Sequence, residues 1–313
     1  MTTYKDIKGT SIEVVSSDPS NPVVGQIWYN TTSQTLKGLE FAAASWASGG
    51  NLPVAKDSLA GCGTQTAGLG FGGYGPAVTG KTEEYNGTAW TSGGDLTTAR
   101  FALAGTGTQT AALAFGGRAP STSNATEEYD GSSWTNGGNL GTARYDLGSA
   151  GTQTAGLAFG GFSPLTAATE EYNGTAWTNG GNLTTAREQL AGCGTQTAGL
   201  ASGGGTPPPI AATEEYNGTA WTNGGNMGTA TKQLAGCGLQ TAALVFGGTP
   251  EITRTEQYDG SSWTTTATMA LGRARLGGAG TQAAGLAFGG DSRTNATEEF
   301  TGAGPVTVTL SGS

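Results

Sequence analysis

Paired carboxylates are the first candidates for chemistry in this 313-residue chain: Glu83-Glu84, Glu127-Glu128, Glu170-Glu171, Glu214-Glu215 and Glu298-Glu299, with Glu256-Gln257 as an altered sixth copy. Two carboxylates flanking one bond are the apparatus of glycoside hydrolysis. Neighbours on a strand point to opposite faces, however, so the two members of such a pair cannot flank one substrate bond. Recurrence in every copy is also wrong for a single active site. The reading that fits is structural: one glutamate per copy meets that copy's basic residue or faces solvent. The chain has no histidine, which removes His-based triads and the usual zinc sets. Its cysteines, Cys62, Cys193 and Cys237, share a slot held elsewhere by Thr106, Ala150 and Ala279. A position that accepts Cys, Thr or Ala is small and buried, so no disulfide, metal or cofactor is expected. Asn-Gly-Thr strings such as Asn86-Gly87-Thr88 read as hairpin turns rather than glycosylation acceptors.

The elements that position these residues follow from a repeat. Trp46, Trp90, Trp134, Trp177, Trp221 and Trp263 recur every 42–44 residues, and Phe71, Phe115, Phe159, Phe246 and Phe288 keep the same beat, with Ser202 standing in once. A fixed period of this size means a repeat architecture in which each unit buries its apolar faces against its neighbours. The tryptophans, present in every unit, are expected in the core rather than as sugar platforms. Charged residues make up only 12 % of the chain, and 57 glycines and 11 prolines mark it as turn-rich and all-β. The net charge is −9 with no basic cluster, which argues against nucleic acid and anionic membranes as partners. No apolar run approaches ~20 residues, so no membrane insertion is expected. The opening MTTYKDIKGTSIEVV has no apolar h-region, so synthesis in a cytoplasm without a signal peptide is expected.

Each copy reads as four strands. In the fourth, EQLAGCG turns through GTQT into TAGLASGG, and the variable GTPPPIA leads to ATEEY. Asn217-Gly218 then reads as a two-residue type I′ turn into TAWTNGG, both central residues taking positive φ. Four antiparallel strands per repeat is the pattern of a β-propeller blade. The basic residue opening the first strand (Lys56, Arg100, Arg144, Arg187, Arg273), the Gly-Gly after the second, then a Tyr and a Trp resemble the kelch family over roughly residues 50–300. Two features depart from it: a leucine (Leu59 and its equivalents) stands where kelch repeats often carry a histidine, and the Tyr-to-Trp gap is short. The expected fold is therefore an all-β propeller with kelch-like blades. Seven blades are favoured because Trp28 to Trp46 repeats the Phe159-to-Trp177 spacing, with GQIWYN, TLKGLEF and SWASG forming a divergent blade. The alternative is six blades with N-terminal strands closing the ring against PVTVTL. The expected organisation is an arm over residues 1–20, then one propeller over 21–313, divided into a divergent blade at 21–49 and repeats at 50–313.

The segment NPVVGQIWYNTTSQTLKG, followed by TAR- and AFGG-containing repeats, resembles tail-fibre and other virion proteins of tailed phages, marine ones in particular. That resemblance implies a virion location on the phage tail, contacts with other tail proteins through residues 1–20, and host attachment. It leaves open whether the chain forms a homo-oligomer.

Binding residues are sought where copies differ. The loops between second and third strands share nothing, and a second variable pair follows the basic residue: Asp57-Ser58, Phe101-Ala102, Tyr145-Asp146, Glu188-Gln189, Lys232-Gln233, Ala274-Arg275. Antiparallel order sends both sets to one end of a propeller, as a scaffold presenting a recognition surface requires. Tyr74, Phe101, Arg118, Tyr145, Phe162, Pro208, Glu251 and Arg293 are the expected contacts for a host-surface glycan or receptor. The competing expectations are a structural or decoration virion protein without a ligand, and a glycan depolymerase. The latter would have to draw its carboxylates from Asp57, Asp146, Glu188, Glu251 and Asp291, each in a different repeat.

Overall fold

A computed structural model describes residues 12–205, 208–249 and 253–310. The described chain is all-β, in seven four-stranded sheets, with a single 3-10 turn at Asp291–Arg293. It divides into two compact units, residues 1–44 with 302–313 and residues 45–301, a different partition from an arm over 1–20 followed by one propeller.

The first unit is one sheet: β1 (Glu13–Val15), β2 (Ile27–Asn30), β3 (Thr35–Ala42) and the C-terminal strand Gly304–Thr309, in that order, with β1 parallel to β2. Of the expected arm, residues 1–11 lie outside the described residues, while Glu13–Val15 is a strand of this sheet. Trp28 is fully buried. Lys37 Nζ (2.7 Å), Asn30 Nδ2 (2.7 Å) and Trp28 Nε1 (3.0 Å) all donate to the Asp18 carboxylate and hold it down to about 2.

The second unit is a propeller. Its first blade contains β5 (Ala60–Thr64), β6 (Ala67–Phe71), β7 (Thr82–Tyr85) and β8 (Trp90–Ser92), antiparallel throughout. Four further blades repeat this order. In the last blade Gly277–Gly280, Ala284–Phe288 and Thr297–Thr301 take their fourth strand from β4 (Ser45–Ser48). Seven sheets match the favoured count, but the ring within residues 45–301 closes with six. Its inner strand β5 packs against Ala104–Thr108 on one side and Gly277–Gly280 on the other. The N-terminal closing strand pairs with Thr297–Thr301, whereas PVTVTL pairs with β3.

The repeated residues are interlocks between blades. Every repeat tryptophan donates its indole N–H at 2.9 Å to a threonine hydroxyl of the preceding blade, from Trp134 to Thr82 around to Trp46 to Thr255 and Trp90 to Thr297. In five of the six its ring packs on that blade's phenylalanine, as in Phe71–Trp134 at 4.8 Å. The glutamine of each GTQ turn reaches two carbonyls of the preceding blade, Gln109 to Gly68 and Tyr85 at 3.0 and 2.7 Å.

The glutamate pairs are divided as the strand geometry requires. The first member is buried against the copy's basic residue, as in Arg100–Glu127 at 2.9 Å and Arg187–Glu214 at 3.1 Å. The second accepts from a tyrosine hydroxyl of the next blade, as Glu84 does from Tyr129 at 2.7 Å. The three cysteines are buried and free, and burial pushes the thiols of Cys62 and Cys193 up to about 12.

The outer turn differs from expectation. Tyr216 pairs directly with Trp221, so the loop is the four residues 217–220 rather than two. Asn217 does not adopt positive φ; only Gly218 does, at 89°. The Asn217 side-chain oxygen caps the loop by accepting from Thr219 N and Ala220 N at 3.0 and 2.9 Å. Asparagine serves here through its own hydrogen bonds, not its tolerance of left-handed backbone.

Trp90 is 7 % exposed, stacks on Phe288 at 4.8 Å and bonds Thr297. Trp90→Ala should therefore lose ~3–5 kcal/mol, the range for a buried large-to-small change. Chemical denaturation checks this, and a loss below ~1 kcal/mol would remove the tryptophans from the core.

Candidate functional site

The two variable sets meet on the propeller through short bridges that extend the inner strand pair. Asp57 pairs with Tyr74, Phe101 with Arg118, Tyr145 with Phe162 and Lys232 with Thr249. Glu188 and Ala274 stand at the same position, their carbonyls accepting from Gly205 N (2.9 Å) and Asp291 N (2.8 Å). The Gly-Gly after the second strand permits this. Gly72 and Gly73 have φ of +64° and +105°, and a Cβ on Gly72 would lie 2.7 Å from the Arg100 carbonyl. Only glycine allows the loop to leave so close to the next blade.

One residue further along lies a closed hexagon of backbone hydrogen bonds. The N–H groups of Ala102, Asp146, Gln189, Gln233 and Arg275 each donate to the preceding blade's carbonyl in the ring, and Ser58 N closes it on Arg275 O, all within 2.7–2.9 Å. All six ring residues are left-handed, with φ between 53° and 60°. They surround a cavity of about 100 Å3 at this mouth of the central channel.

Side chains link much of the mouth. Gln189 Nε2 donates to Asp146 Oδ2 at 3.1 Å. With its amide oriented to satisfy its neighbours, Gln233 accepts from Arg275 Nε and Nη2 at 2.9 Å and from Gln189 Nε2 at 3.1 Å, and donates to Thr249 Oγ1. Arg275 also approaches Asp291, at 3.5 Å. Burial pushes the Asp146 carboxyl up from its ordinary value, against the opposing pull of Gln189, Arg275, Lys232 and Arg118. Glu188 is raised too, first by burial and then by the Asp146 charge.

Six of the eight expected contact residues form one continuous row across neighbouring blades. The Arg293 guanidinium lies over Tyr74 at 5.0 Å, and Tyr74 meets Phe101 edge-on at 5.7 Å. Arg118 lies over both Phe101 (5.5 Å) and Tyr145 (5.1 Å), and Tyr145 meets Phe162 at 5.6 Å. Phe162 and Arg293 are exposed, the other four half-buried. Each cation–π contact holds an arginine with about 0.5–1 kcal/mol at such exposed sites, which leaves guanidinium donors displayed along an aromatic strip. Pro208 is exposed on the fourth blade's loop and has no place in the row; Glu251 lies outside the described residues.

Sequence reasoning placed Asp146, Gln189, Gln233 and Arg275 among variable positions without seeing them as a channel mouth. Their left-handed backbone follows from ring closure and has no residue-type signature, since Ser, Ala, Asp, Gln and Arg all adopt it. Among the described residues no group of three or more Cys, Asp or Glu side chains is placed to hold a metal, and no helix is long and apolar enough to cross a membrane. No family model matches the chain, and no curated protein matches it in sequence.

Asp146 supplies a pH test. A carboxyl raised on folding binds its proton more tightly in the folded state. Its contribution is thus fully present below the ordinary aspartate value of ~3.9 and is lost as pH climbs through the raised folded value. Relative to the parent, Asp146→Asn should gain melting temperature progressively over that interval and level off above it. A difference that stays constant with pH overturns the assignment.

Proposed function

We propose that this chain is a non-enzymatic recognition propeller of a virion tail fibre or tail tip, whose individualised rim binds a glycan or protein on the host cell surface. The observation that carries this reading is the row from Arg293 through Tyr74, Phe101, Arg118 and Tyr145 to Phe162. It is assembled from positions that differ in every repeat, whereas the interlocks around it repeat nearly unchanged. Residues free of structural duty elsewhere in the ring are here arranged as aromatic faces with planar donors. Such surfaces suit sugars and carboxylate- or phosphate-bearing partners, because aromatic faces give area and guanidinium gives bidentate hydrogen bonds.

A hydrolytic reading has one observation in its favour: the carboxyls of Asp146 and Glu188 are both raised by burial, and the Asp146 charge raises Glu188 further. Incubation with host polysaccharide decides it. Shortened chains that disappear with Glu188→Gln would establish hydrolysis, and intact chains exclude it.

Arg118→Ala and Tyr145→Ala should each weaken adsorption to host cells tenfold or more, while the melting temperature falls by no more than about 4 °C, since exposed cation–π contacts are worth about 0.5–1 kcal/mol. Cell-binding assays and calorimetry on the purified chain provide both readings. Undiminished adsorption by variants along the whole row would overturn the proposal.

A further inference from the structure

Eight arginines occur in the chain, and six of them spend donors inside the protein. Arg100, Arg144, Arg187 and Arg273 are buried, each beside a glutamate at 2.9–3.1 Å. Arg254 donates to Thr265 Oγ1 at 3.1 Å, and Arg275 donates to Gln233 at 2.9 Å. Arg118 and Arg293 differ. Among the described residues neither guanidinium donates a hydrogen bond or stands in an ion pair, and aromatic rings hold both.

Arg118 is half-buried between two rings, 5.5 Å from Phe101 and 5.1 Å from Tyr145. Stacking occupies the faces of a guanidinium and leaves its N–H edge to bond. Asp146 feels the Arg118 charge, but its carboxylate accepts from Gln189 instead. A charge partly withdrawn from water with no opposite charge in contact is costly. Arg293 repeats the arrangement over Tyr74, exposed at one end of the row. The backbone of the row, by contrast, is already committed. Tyr74 with Asp57, Arg118 with Phe101 and Phe162 with Tyr145 each exchange both N–H···O bonds, at 2.8–3.2 Å. A peptide that binds by strand addition needs such groups unpaired. What the row offers is ring surface and guanidinium edges, which suit sugar rings and planar anions.

We propose that the ligand of this rim is an acidic polysaccharide, whose carboxylates take the edges of Arg118 and Arg293 while its sugar rings lie along the aromatic strip between them. The proposal rests on the rim being the recognition surface, and narrows its ligand from a glycan or protein to a carboxylate-bearing glycan. The net charge of −9 repels polyanions at long range, so attraction to such a chain has to come from the row itself.

Calorimetric titration of the full chain at about 0.15 M salt tests it. Polygalacturonate and alginate should bind about tenfold more tightly than the same polymers after reduction of their carboxyls to alcohols. That comparison uses the unaltered protein and so stands even if a variant fails to fold. Arg118→Lys keeps the charge and loses the planar fork, and should weaken binding of the intact polymers about fivefold. Polyglutamate and dextran sulfate should bind more weakly than either polyuronate. Equal affinity for intact and reduced polymers, a tighter hold on polyglutamate or dextran sulfate, or no binding to any of them would overturn the proposal. Host adsorption that falls in row variants but ignores carboxyl reduction of the cell-surface polymer rejects the acidic ligand alone and leaves the recognition role of the rim intact.

Discussion

A hexagon of six backbone hydrogen bonds, one rung from each blade, ties the propeller at its axis. Each rung is made by a left-handed residue that is not glycine, a conformation that costs about 1–3 kcal/mol and persists only where the surroundings over-determine it. They are over-determined here because every blade is also bound to its predecessor by tryptophan–threonine and glutamine–carbonyl contacts, and five of the six by a tyrosine–glutamate contact as well. Backbone atoms alone make the hexagon, so its side chains carry no share of closure. That is why Ser58, Ala102, Asp146, Gln189, Gln233 and Arg275 can all differ while occupying the most constrained positions in the ring.

The same division explains what the amino-acid order disclosed. Repeating residues announced the propeller because each performs a contact that recurs by symmetry. Trp and Phe could be assigned to burial on periodicity, and strand alternation showed that the two glutamates of a pair part to opposite faces, though not which of them meets the basic residue. Convergence of the variable positions also followed from antiparallel order, and six of the eight chosen residues do lie in one row. Features that depend on a partner in another blade stayed hidden. The uniform GTQ turn read only as the link between first and second strands, although Gln109 is tethered to Gly68 and Tyr85. Asn217-Gly218 suggested a tight hairpin because the dipeptide does not report the two further loop residues that its side chain caps. Trp28 shares the spacing of the repeat, yet it belongs to a sheet outside the ring unit, where Asp18 receives its N–H.

Departures from the repeat come in matched sets. Gln257 replaces the tyrosine-accepting glutamate in the fifth blade, and its counterpart in the sixth is Phe300, which has no hydroxyl to offer. Ser202 replaces the phenylalanine on which the next tryptophan would stack, and Trp263 is only partly buried, though it keeps its bond to Thr213 at 2.9 Å. Thr231 removes a guanidinium, and Arg254 brings another to 3.9 Å from the carboxylate left behind. Most of these exceptions fall in the fourth, fifth and sixth blades, so the ring is chemically lopsided despite its regular backbone.

The last blade is stitched from both flanks of the ring sequence, and Ser45 is the register partner of Thr301. Chain therefore enters and leaves at the same end of one antiparallel ladder. Tension applied through the two flanking segments acts on that ladder as a zipper, separating its rungs one after another instead of shearing them together. Because β3 and Gly304–Thr309 pair in the same way just outside the ring, such a load parts their ladder and then the sixth blade, while the other five blades still hold their complete sets of strands.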